Sequence, residues 1–440
     1  MDQEYAPFKG VHIPGRPSKL CCDIECRRNE IVSITNSTPH IEKQHNYQLM
    51  VPGLCHPHIH LDKCFLLSHP KYADLQINEG DFSEAMKLTS EAKLRFEHDD
   101  LMDRGRALIE ESIRFGVTHM RAFVEVDFGV EMKCLDAGLE LKEEFRDKCY
   151  IQICVFAQDP VFSHEHGSQS MTDLLEKAIQ KPGVEVIGST PYVEKCPAFQ
   201  EENIKWTIAT AKLHTLHLDF HLDYNLDESQ NPAIHTAIER LHKVKWQTNC
   251  NHIDYRSVVF GHCTRLTLFD ESAWENLHRK IGDLPVSFVG LPTSDMFMMG
   301  RPEKATGESS RVRGTLQVIE MIKKYEFNVA IGINNVGNAF TPQGSCDPMS
   351  LASLGVGVYQ AGTKADAEIL LECVSTRARA AIGLGNQYGI TVDVGSPASF
   401  VIFGTNGPRN FRARKSIQEL VYDAGVGRTT IFEGKVVSSP

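Results

Sequence analysis

The sequence predicts an α/β protein, a (β/α)8 TIM barrel with a small β-sandwich domain formed from both chain ends. Between about residues 50 and 335, eight short β-rich runs alternate with helical stretches, which is the order of a parallel barrel. Both flanks are turn-rich and strand-like, and neither flank alone could bury a sheet face. A chain of 440 residues also exceeds one ordinary domain, which leaves room for a second, smaller one.

The predicted barrel strands are separated by amphipathic helices. The segment 99–115 begins with Asp99 and Asp100, carries apolar side chains at helical spacing, and is followed by Gly116, a typical residue just past a helix end. A doubly wound open sheet is the competing fold, but no glycine-rich phosphate loop opens the first βα turn. The predicted strands are 48–54, 116–126, 150–158, 184–191, 217–224, 257–264, 286–292 and 328–334.

These patterns divide the chain into two domains. We assign residues 51–390 to the barrel, and residues 1–50 with 391–440 to one discontinuous β-sandwich domain. A long charged segment, 66–98, follows the first predicted strand and is a candidate lid insertion over the barrel mouth.

Composition narrows the partners and the location. The formal net charge of −11 argues against nucleic acid and anionic membranes as main partners. No run approaches the roughly 18 apolar residues of a membrane span, and residues 1–5 lack signal-peptide features, so we expect a cytoplasmic protein. The oligomeric state is open, and a homo-oligomer is one outcome. The cysteine cluster at Cys21, Cys22 and Cys26 is either a zinc knot or, as its spacing favours, a set of reduced thiols.

The strongest local signal is the segment 52–63, which reads Pro-Gly-Leu-Cys-His-Pro-His-Ile-His-Leu-Asp-Lys. Alternate residues on a strand point the same way, so His58 and His60 can converge on one ion. The alternative is a surface cluster of histidines. The position at the end of the first predicted barrel strand favours a metal, because barrel sites lie at the carboxyl ends of the strands.

From this segment onward the sequence resembles the amidohydrolase superfamily, and within it the cytosine deaminase and N-isopropylammelide hydrolase group. Members of that group carry a very similar His-x-His motif followed by Leu-Asp or Met-Asp-Lys. The resemblance continues in order along almost the whole chain, which is much more specific than one motif. The further matching segments are Arg121 with 124–126, 155–159, 188–191, 221–223, 261–264, and 291–293 with 300–301.

This resemblance implies a metal-dependent hydrolase, deaminase-like, that acts on a small-molecule substrate. The bond it cleaves would be a non-peptide C–N bond, as in a cyclic amide, an amidine or another N-heterocycle. It implies that His58, His60 and His221 bind one divalent transition metal, zinc or iron. His262 becomes the imidazole that polarises the attacked group or orients the water. Gln158 becomes a contact to the substrate amide, and Lys63 is a second substrate-binding candidate. Their residue types alone leave His221 and His262 open as buried structural histidines.

The sequence departs from the family pattern at three acidic positions, which are occupied here by His56, Tyr224 and Asn334. A tyrosine, with a usual pKa of about 10, is a poor proton shuttle at neutral pH. Tyr224 and Asn334 therefore enter as catalytic candidates with altered proton transfer. Candidate replacements for the missing acids lie nearby in the sequence, at Lys63, Asp223, Asp227 and Asp347.

Three functions stay open at this point. The first is a hydrolase of C–N bonds other than peptide bonds, with altered proton-transfer residues. The second is a catalytically impaired binding or regulatory barrel. The third is a metal-assisted lyase or isomerase that uses the metal only as an electrophile. A shared fold does not by itself choose among them.

Overall fold

The computed structural model describes residues 7–17, 20–37, 48–164, 168–301, 314–385, 388–404 and 414–440. Eight parallel strands form a nearly closed barrel, and two antiparallel sheets from the chain ends lie beside it, so the predicted fold is confirmed. Within the described ranges, no helix combines the length and the apolar character that crossing a membrane requires. The strands are β1 (Phe8–Val11), β2 (Cys22–Arg27), β3 (Glu30–Asn36), β4 (Gln48–Pro52), β5 (Leu54–His60), β6 (Val117–Glu125), β7 (Tyr150–Ala157), β8 (Val184–Ser189), β9 (His217–Leu222), β10 (Val258–His262), β11 (Val286–Gly290), β12 (Asn328–Ile331), β13 (Phe400–Gly404), β14 (Arg428–Phe432) and β15 (Lys435–Ser438).

The helices lie mainly between the barrel strands, as a parallel barrel requires. They are α1 (Phe82–Lys93), α2 (His98–Arg114), α3 (Lys133–Glu144), α4 (Ser168–Ile179), α5 (Pro197–Leu213), α6 (Ile234–Lys243), α7 (Glu271–Ile281), α8 (Pro292–Met298), α9 (Val318–Tyr325), α10 (Pro348–Val358), α11 (Lys364–Cys373), α12 (Thr376–Ala381) and α13 (Ile417–Tyr422). Short 3-10 helices cover Pro70–Tyr72, Pro191–Val193 and Thr264–Leu268.

The barrel strands β5 to β12 are neighbours in the order of the sequence. The barrel closes through Asn334, which follows β12 and bridges to Ile59 of β5. The Asn334 main-chain N–H donates to the His58 carbonyl at 3.1 Å, and the His60 N–H donates to the Asn334 carbonyl at 2.8 Å. Closure therefore occurs at the two histidines of the His-x-His motif.

The prediction of 48–54 as the first barrel strand is wrong, because this run divides between two sheets. β4 pairs antiparallel with β13 in the small domain, and β5 is the first barrel strand. The chain passes from one sheet to the other at Gly53, where a Cβ would lie 2.3 Å from Thr118 Oγ1. The histidine motif consequently lies within the carboxyl-terminal half of β5.

The small domain is a sandwich of the sheet β1-β2-β3 and the sheet β15-β14-β13-β4. The two sheets share one apolar core, in which the rings of Phe8 and Phe400 meet edge to face at 5.2 Å. Cys22 and Cys26 are buried in this core as free cysteines. Residues 1–6, 18–19 and 38–47 lie outside the described residues, and the domain boundaries stay predictions.

The segment 66–98 packs over the barrel mouth. Phe82, the first residue of α1, lies 5.7 Å from Phe340 and 6.2 Å from Tyr224, measured between ring centroids. Lys93, at the other end of α1, is buried and forms an ion pair with Glu125 at 2.8 Å. α1 is thus attached to the barrel by an apolar contact at one end and a buried charge at the other. Its role as a lid stays a prediction.

Gly188 allows strands β8 and β9 to approach each other closely, and this contact is testable. A Cβ at this position would lie 2.4 Å from the Asp219 carbonyl oxygen, so Gly188→Ala should lower the free energy of unfolding by ~1–3 kcal/mol. The matched control is Gly357→Ala in α10, where a Cβ meets nothing within 4 Å. That variant should be neutral or stabilised by up to ~1 kcal/mol. Urea denaturation measures both, and equal stabilities would contradict the close approach.

Candidate metal centre and active site

Three predicted ligands meet at the carboxyl ends of two barrel strands. His58 and His60 lie in β5, and His221 lies in β9. His221 Nε2 lies 3.0 Å from His58 Nε2 and 3.2 Å from His60 Nε2. All three side chains are buried, with at most 2% of their surface exposed. The structure therefore brings together the three residues that the sequence assigned to a metal.

The chemistry of these nitrogens fits a bound cation. Burial, reinforced by neighbouring positive groups, lowers the pKa of His58, His60 and His221 well below its usual value, so the rings are neutral at pH 7. Without an ion, these neutral rings can hydrogen-bond to one another through a proton on Nε2; with the proton on Nδ1, each Nε2 lone pair is available to a shared cation. One ligand atom from each of the three rings lies within 4.8 Å of the others, as a shared ion requires.

The surrounding strands leave a fitted space for the rings. A Cβ at Gly261 would lie 3.3 Å from His58 Cε1, and one at Gly332 would lie 3.2 Å from the His58 Cβ. Phe123 packs against His58 at 4.0 Å and Phe156 packs against His221 at 4.3 Å, between ring centroids. The two glycines leave room for the His58 ring, and the two phenylalanines hold the imidazoles in place. Because the rings are already fixed, less entropy is lost when an ion binds.

His262 ends β10 with a φ of +65°, a left-handed backbone that few non-glycine residues adopt. Its ring lies 5.1 Å from that of His221, between centroids. Asp295 of α8 accepts a hydrogen bond from His262 Nδ1 at 2.8 Å, and its second oxygen accepts one from Thr315 at 2.8 Å. Asp295 therefore fixes the ring and its tautomer, which leaves Nε2 for the cavity.

The two neutral replacements at the cavity differ in what they can do. Burial raises the pKa of Tyr224 well above its usual value, and its ring packs tilted against that of His262, with 4.0 Å between centroids. Asn334 donates its amide N–H to Ser294 at 2.8 Å, and its side chain lies beside His58 and His60. Tyr224 is therefore a protonated aromatic wall, and Asn334 offers the centre a neutral carbonyl oxygen.

The third replacement, His56, lies outside the cavity. The pairing of β5 with β6 shifts register between His56 and Ile59, so strict alternation along β5 is interrupted. The His56 side chain instead meets Ser112 of α2 at 3.1 Å, and burial lowers its pKa to about 3. The side chain at position 56 faces α2, so its neutrality does not affect the charge at the candidate centre.

Of the proposed replacements for the missing acids, only Lys63 lines the cavity. Asp223 accepts hydrogen bonds from the main chain of Ala233 and Ile234, at 2.7 and 3.0 Å. Asp227 is exposed and caps its own loop, and Asp347 pairs with Arg428 of the small domain at 2.6 Å. These three carboxylates make structural contacts, and none of them lines the cavity.

The centre opens into a small cavity of about 20 Å³, enough for about one water molecule. Lys63 and Gln158, the predicted substrate contacts, lie together on its wall, where the Lys63 ammonium donates to Gln158 Oε1 at 3.2 Å. A heterocycle needs more room, so Phe82 or Phe340 must move when it enters. The lining residues are His60, Lys63, Phe82, Gln158, Tyr192, His221, Tyr224, His262, Ser294, Asn334, Asn335 and Phe340.

Sequence reasoning missed several of these residues. Asp295 lies two positions after the quoted motif 291–293, and nothing in a single sequence shows that α8 aims it at His262. Phe82 and Phe340 come from the segment 66–98 and the loop after β12, whose meeting depends on tertiary packing. An aspartate in the first turn of a helix that follows a barrel strand was the one available signal for Asp295.

Comparison with known proteins places this arrangement in a family. The model of the amidohydrolase family matches residues 49–437. N-isopropylammelide isopropyl amidohydrolase of Pseudomonas sp. (strain ADP) is 22% identical over 379 residues, which cover 82% of this chain and 81% of that protein.

Two solved structures share the fold. The 5-methylcytosine deaminase from Klebsiella pneumoniae, liganded with 5-fluorocytosine, superposes with a TM-score of 0.81 at 20% identity, over 99% of this chain and 98% of its own. The N-isopropylammelide isopropylaminohydrolase from Burkholderia multivorans gives a TM-score of 0.74 at 20% identity, over 98% and 97% of the two chains.

The three-histidine centre predicts the metal content of the protein. Wild-type protein should retain about one zinc or iron per chain after dialysis, and His221→Ala should lose most of it, because two nitrogens hold such an ion weakly. His56→Ala is the matched control, since it removes a buried histidine of β5 that faces α2. Elemental analysis measures all three. Equal metal in wild type and His221→Ala would disprove the centre.

Proposed function

The chain belongs to the amidohydrolase family, and on that premise we propose that it is a metal-dependent hydrolase of a non-peptide C–N bond in an N-heterocycle. The observation that carries the proposal is the convergence of three buried, neutral imidazole nitrogens at the carboxyl ends of the barrel strands. The names of the two solved relatives, a deaminase and an aminohydrolase, favour C–N cleavage over other hydrolytic chemistry.

His58, His60 and His221 would hold the metal, with the Asn334 side-chain oxygen as a neutral donor beside them. When bound, zinc or iron lowers the pKa of a water molecule and polarises the attacked carbon. Imidazole suits both metals, so the ligand set does not choose between them. Asn334 cannot accept a proton, so proton transfer falls to another group.

We assign that transfer to His262, positioned by Asp295. The Asp295 carboxylate at 2.8 Å stabilises the imidazolium that forms when His262 Nε2 takes a proton from the attacking water. As the C–O bond forms and the C–N bond breaks, the same nitrogen returns the proton to the leaving amine. Tyr224, held protonated by burial, can donate a hydrogen bond to the substrate but does not shuttle the proton.

Turnover on a panel of pyrimidines, triazines, hydantoins and lactams tests the function. We expect metal-loaded protein to release ammonia or an amine from at least one compound, with one atom of solvent oxygen incorporated in the product. If no compound reacts and Asn334→Asp creates activity, the protein is an impaired binding barrel. A product without solvent oxygen would identify a lyase or isomerase instead.

The His262–Asp295 pair predicts a specific loss of rate. Asp295→Asn keeps the volume but cannot stabilise the imidazolium, so kcat should fall by roughly 10²–10⁴-fold while the metal content stays unchanged. Asp223→Asn is the matched control. Asp223 directly follows β9, and its carboxylate is buried but does not line the cavity. Its kcat should stay within about three-fold of wild type. Similar losses in both variants would contradict the assigned role.

A further inference from the structure

We propose that the substrate is an anionic oxo-heterocycle, whose negatively charged, acceptor-rich edge is bound by Lys63, Gln158 and Asn335. This inference rests on the proposed hydrolase and adds the charge and the hydrogen-bond pattern of its substrate. The three side chains line one cavity with the candidate metal centre. Each of them is oriented by contacts behind it so that it presents a donor to the cavity.

Lys63 is the only lysine or arginine among the described residues that line the cavity. Its side chain is 2% exposed, and its ammonium donates to Glu125 Oε1 at 2.6 Å and to Gln158 Oε1 at 3.2 Å. An ammonium has three N–H donors, so one remains for a ligand. Glu125 pairs with Lys93 as well, at 2.8 Å, so one carboxylate is shared by two ammonium groups. An anionic ligand would therefore gain a charge-assisted hydrogen bond from Lys63, which is stronger than a neutral one.

The same contact fixes the Gln158 amide. Its oxygen faces the Lys63 ammonium, because the reverse orientation would place an amide NH2 against three other N–H donors. Gln158 also forms a hydrogen bond with the Tyr192 hydroxyl. With its oxygen turned toward Lys63, Gln158 presents its NH2 group to a ligand. It therefore matches a carbonyl oxygen or an unprotonated ring nitrogen.

Asn335 is oriented by a second, independent set of contacts through Asn338. The Asn338 side-chain oxygen accepts hydrogen bonds from the main chain of Phe340 and Thr341, at 3.0 and 3.1 Å. Its amide nitrogen must then be the donor, to the Lys63 carbonyl at 3.0 Å and to Asn335 Oδ1 at 2.8 Å. The Asn335 oxygen is thereby occupied, and its NH2 group remains for the cavity.

The rest of the lining agrees with such a ligand. Within the described part of the chain, no aspartate or glutamate lines the cavity, so no carboxylate there repels an anion. Phe82, Phe340, Tyr192 and Tyr224 supply flat aromatic walls that suit a planar ring. A ligand edge that carries amino or ring N–H groups would set donors against donors and lose affinity. An enolate or imidate edge, in which oxygens flank the charge, matches all three side chains.

Binding of two pyrimidines to metal-loaded protein tests the inference. Barbiturate is an anion at pH 7, and uracil is a neutral ring of nearly the same shape. By calorimetry, wild type should bind barbiturate at least about 10-fold more tightly than uracil. Lys63→Met should reduce this preference at least about 10-fold, and Lys63→Gln, which keeps a donor without the charge, serves if the methionine variant does not fold.

Lys93→Met is the matched control, because Lys93 is buried and pairs with the same Glu125 but does not line the cavity. It should change both affinities by the same factor and leave the preference intact. Equal affinities for the two rings in wild type, or a preference that survives in the Lys63 variants, would overturn the proposal. If the protein hydrolyses panel compounds but shows no preference for barbiturate over uracil, this inference is wrong and the proposed hydrolase stands. If the preference for barbiturate depends on Lys63 but no compound is hydrolysed, the proposed hydrolase is wrong and the anion site is supported.

Discussion

Two main-chain hydrogen bonds between Asn334 and β5 hold the site together, because they close the barrel between His58 and His60. Each bond fixes one of the two histidines relative to the end of β12. The side chain at position 334 therefore lies beside the histidine rings whatever its chemistry. This constraint separates fold from reactivity, since a change from aspartate to asparagine leaves the closure intact and alters only the charge delivered to the centre. The charge at position 334 can thus vary without a change in the geometry of the barrel.

Among the described residues, the carboxylates nearest the cavity lie one layer behind its wall. Asp295 holds His262, and Glu125 holds Lys63. Asp219 lies 3.9 Å from His58 Nδ1, while its other oxygen accepts a hydrogen bond from Arg121 at 2.7 Å. Carboxylates behind metal-binding and catalytic imidazoles orient those rings and set their basicity. Carboxylates in this position would influence the proposed reaction through the histidine or lysine that each of them contacts. The cavity wall itself then carries no carboxylate from these residues that would repel an anion.

Periodicity and motif order were sufficient to predict the barrel, the three converging histidines and the placement of Gln158 and Lys63 near them. The errors arose where local pattern and tertiary contact differ. His56 lies two positions before His58, but its side chain contacts Ser112 of α2, because the pairing of β5 with β6 shifts register between His56 and Ile59. The run 48–54 looked like one strand, but Gly53 divides it between two sheets. The hydrogen bond between Asp295 and His262 depends on where α8 packs. The spacing of residues in the sequence does not predict that packing.

The buried carboxylate of Asp295 behind His262 destabilises the fold, and a barrel without catalytic activity would gain nothing from it. Burial raises the pKa of Asp295 and so makes its ionised form costly, although His262 and Thr315 oppose the rise. A purely structural position is better served by an apolar residue, because an isolated buried charge destabilises a core. The buried Asp295, the left-handed backbone of His262 and the donor edge of the cavity all lie close to the candidate metal centre. Under the proposed function, the cost of burying Asp295 has a counterpart, because its carboxylate would stabilise a transiently charged His262.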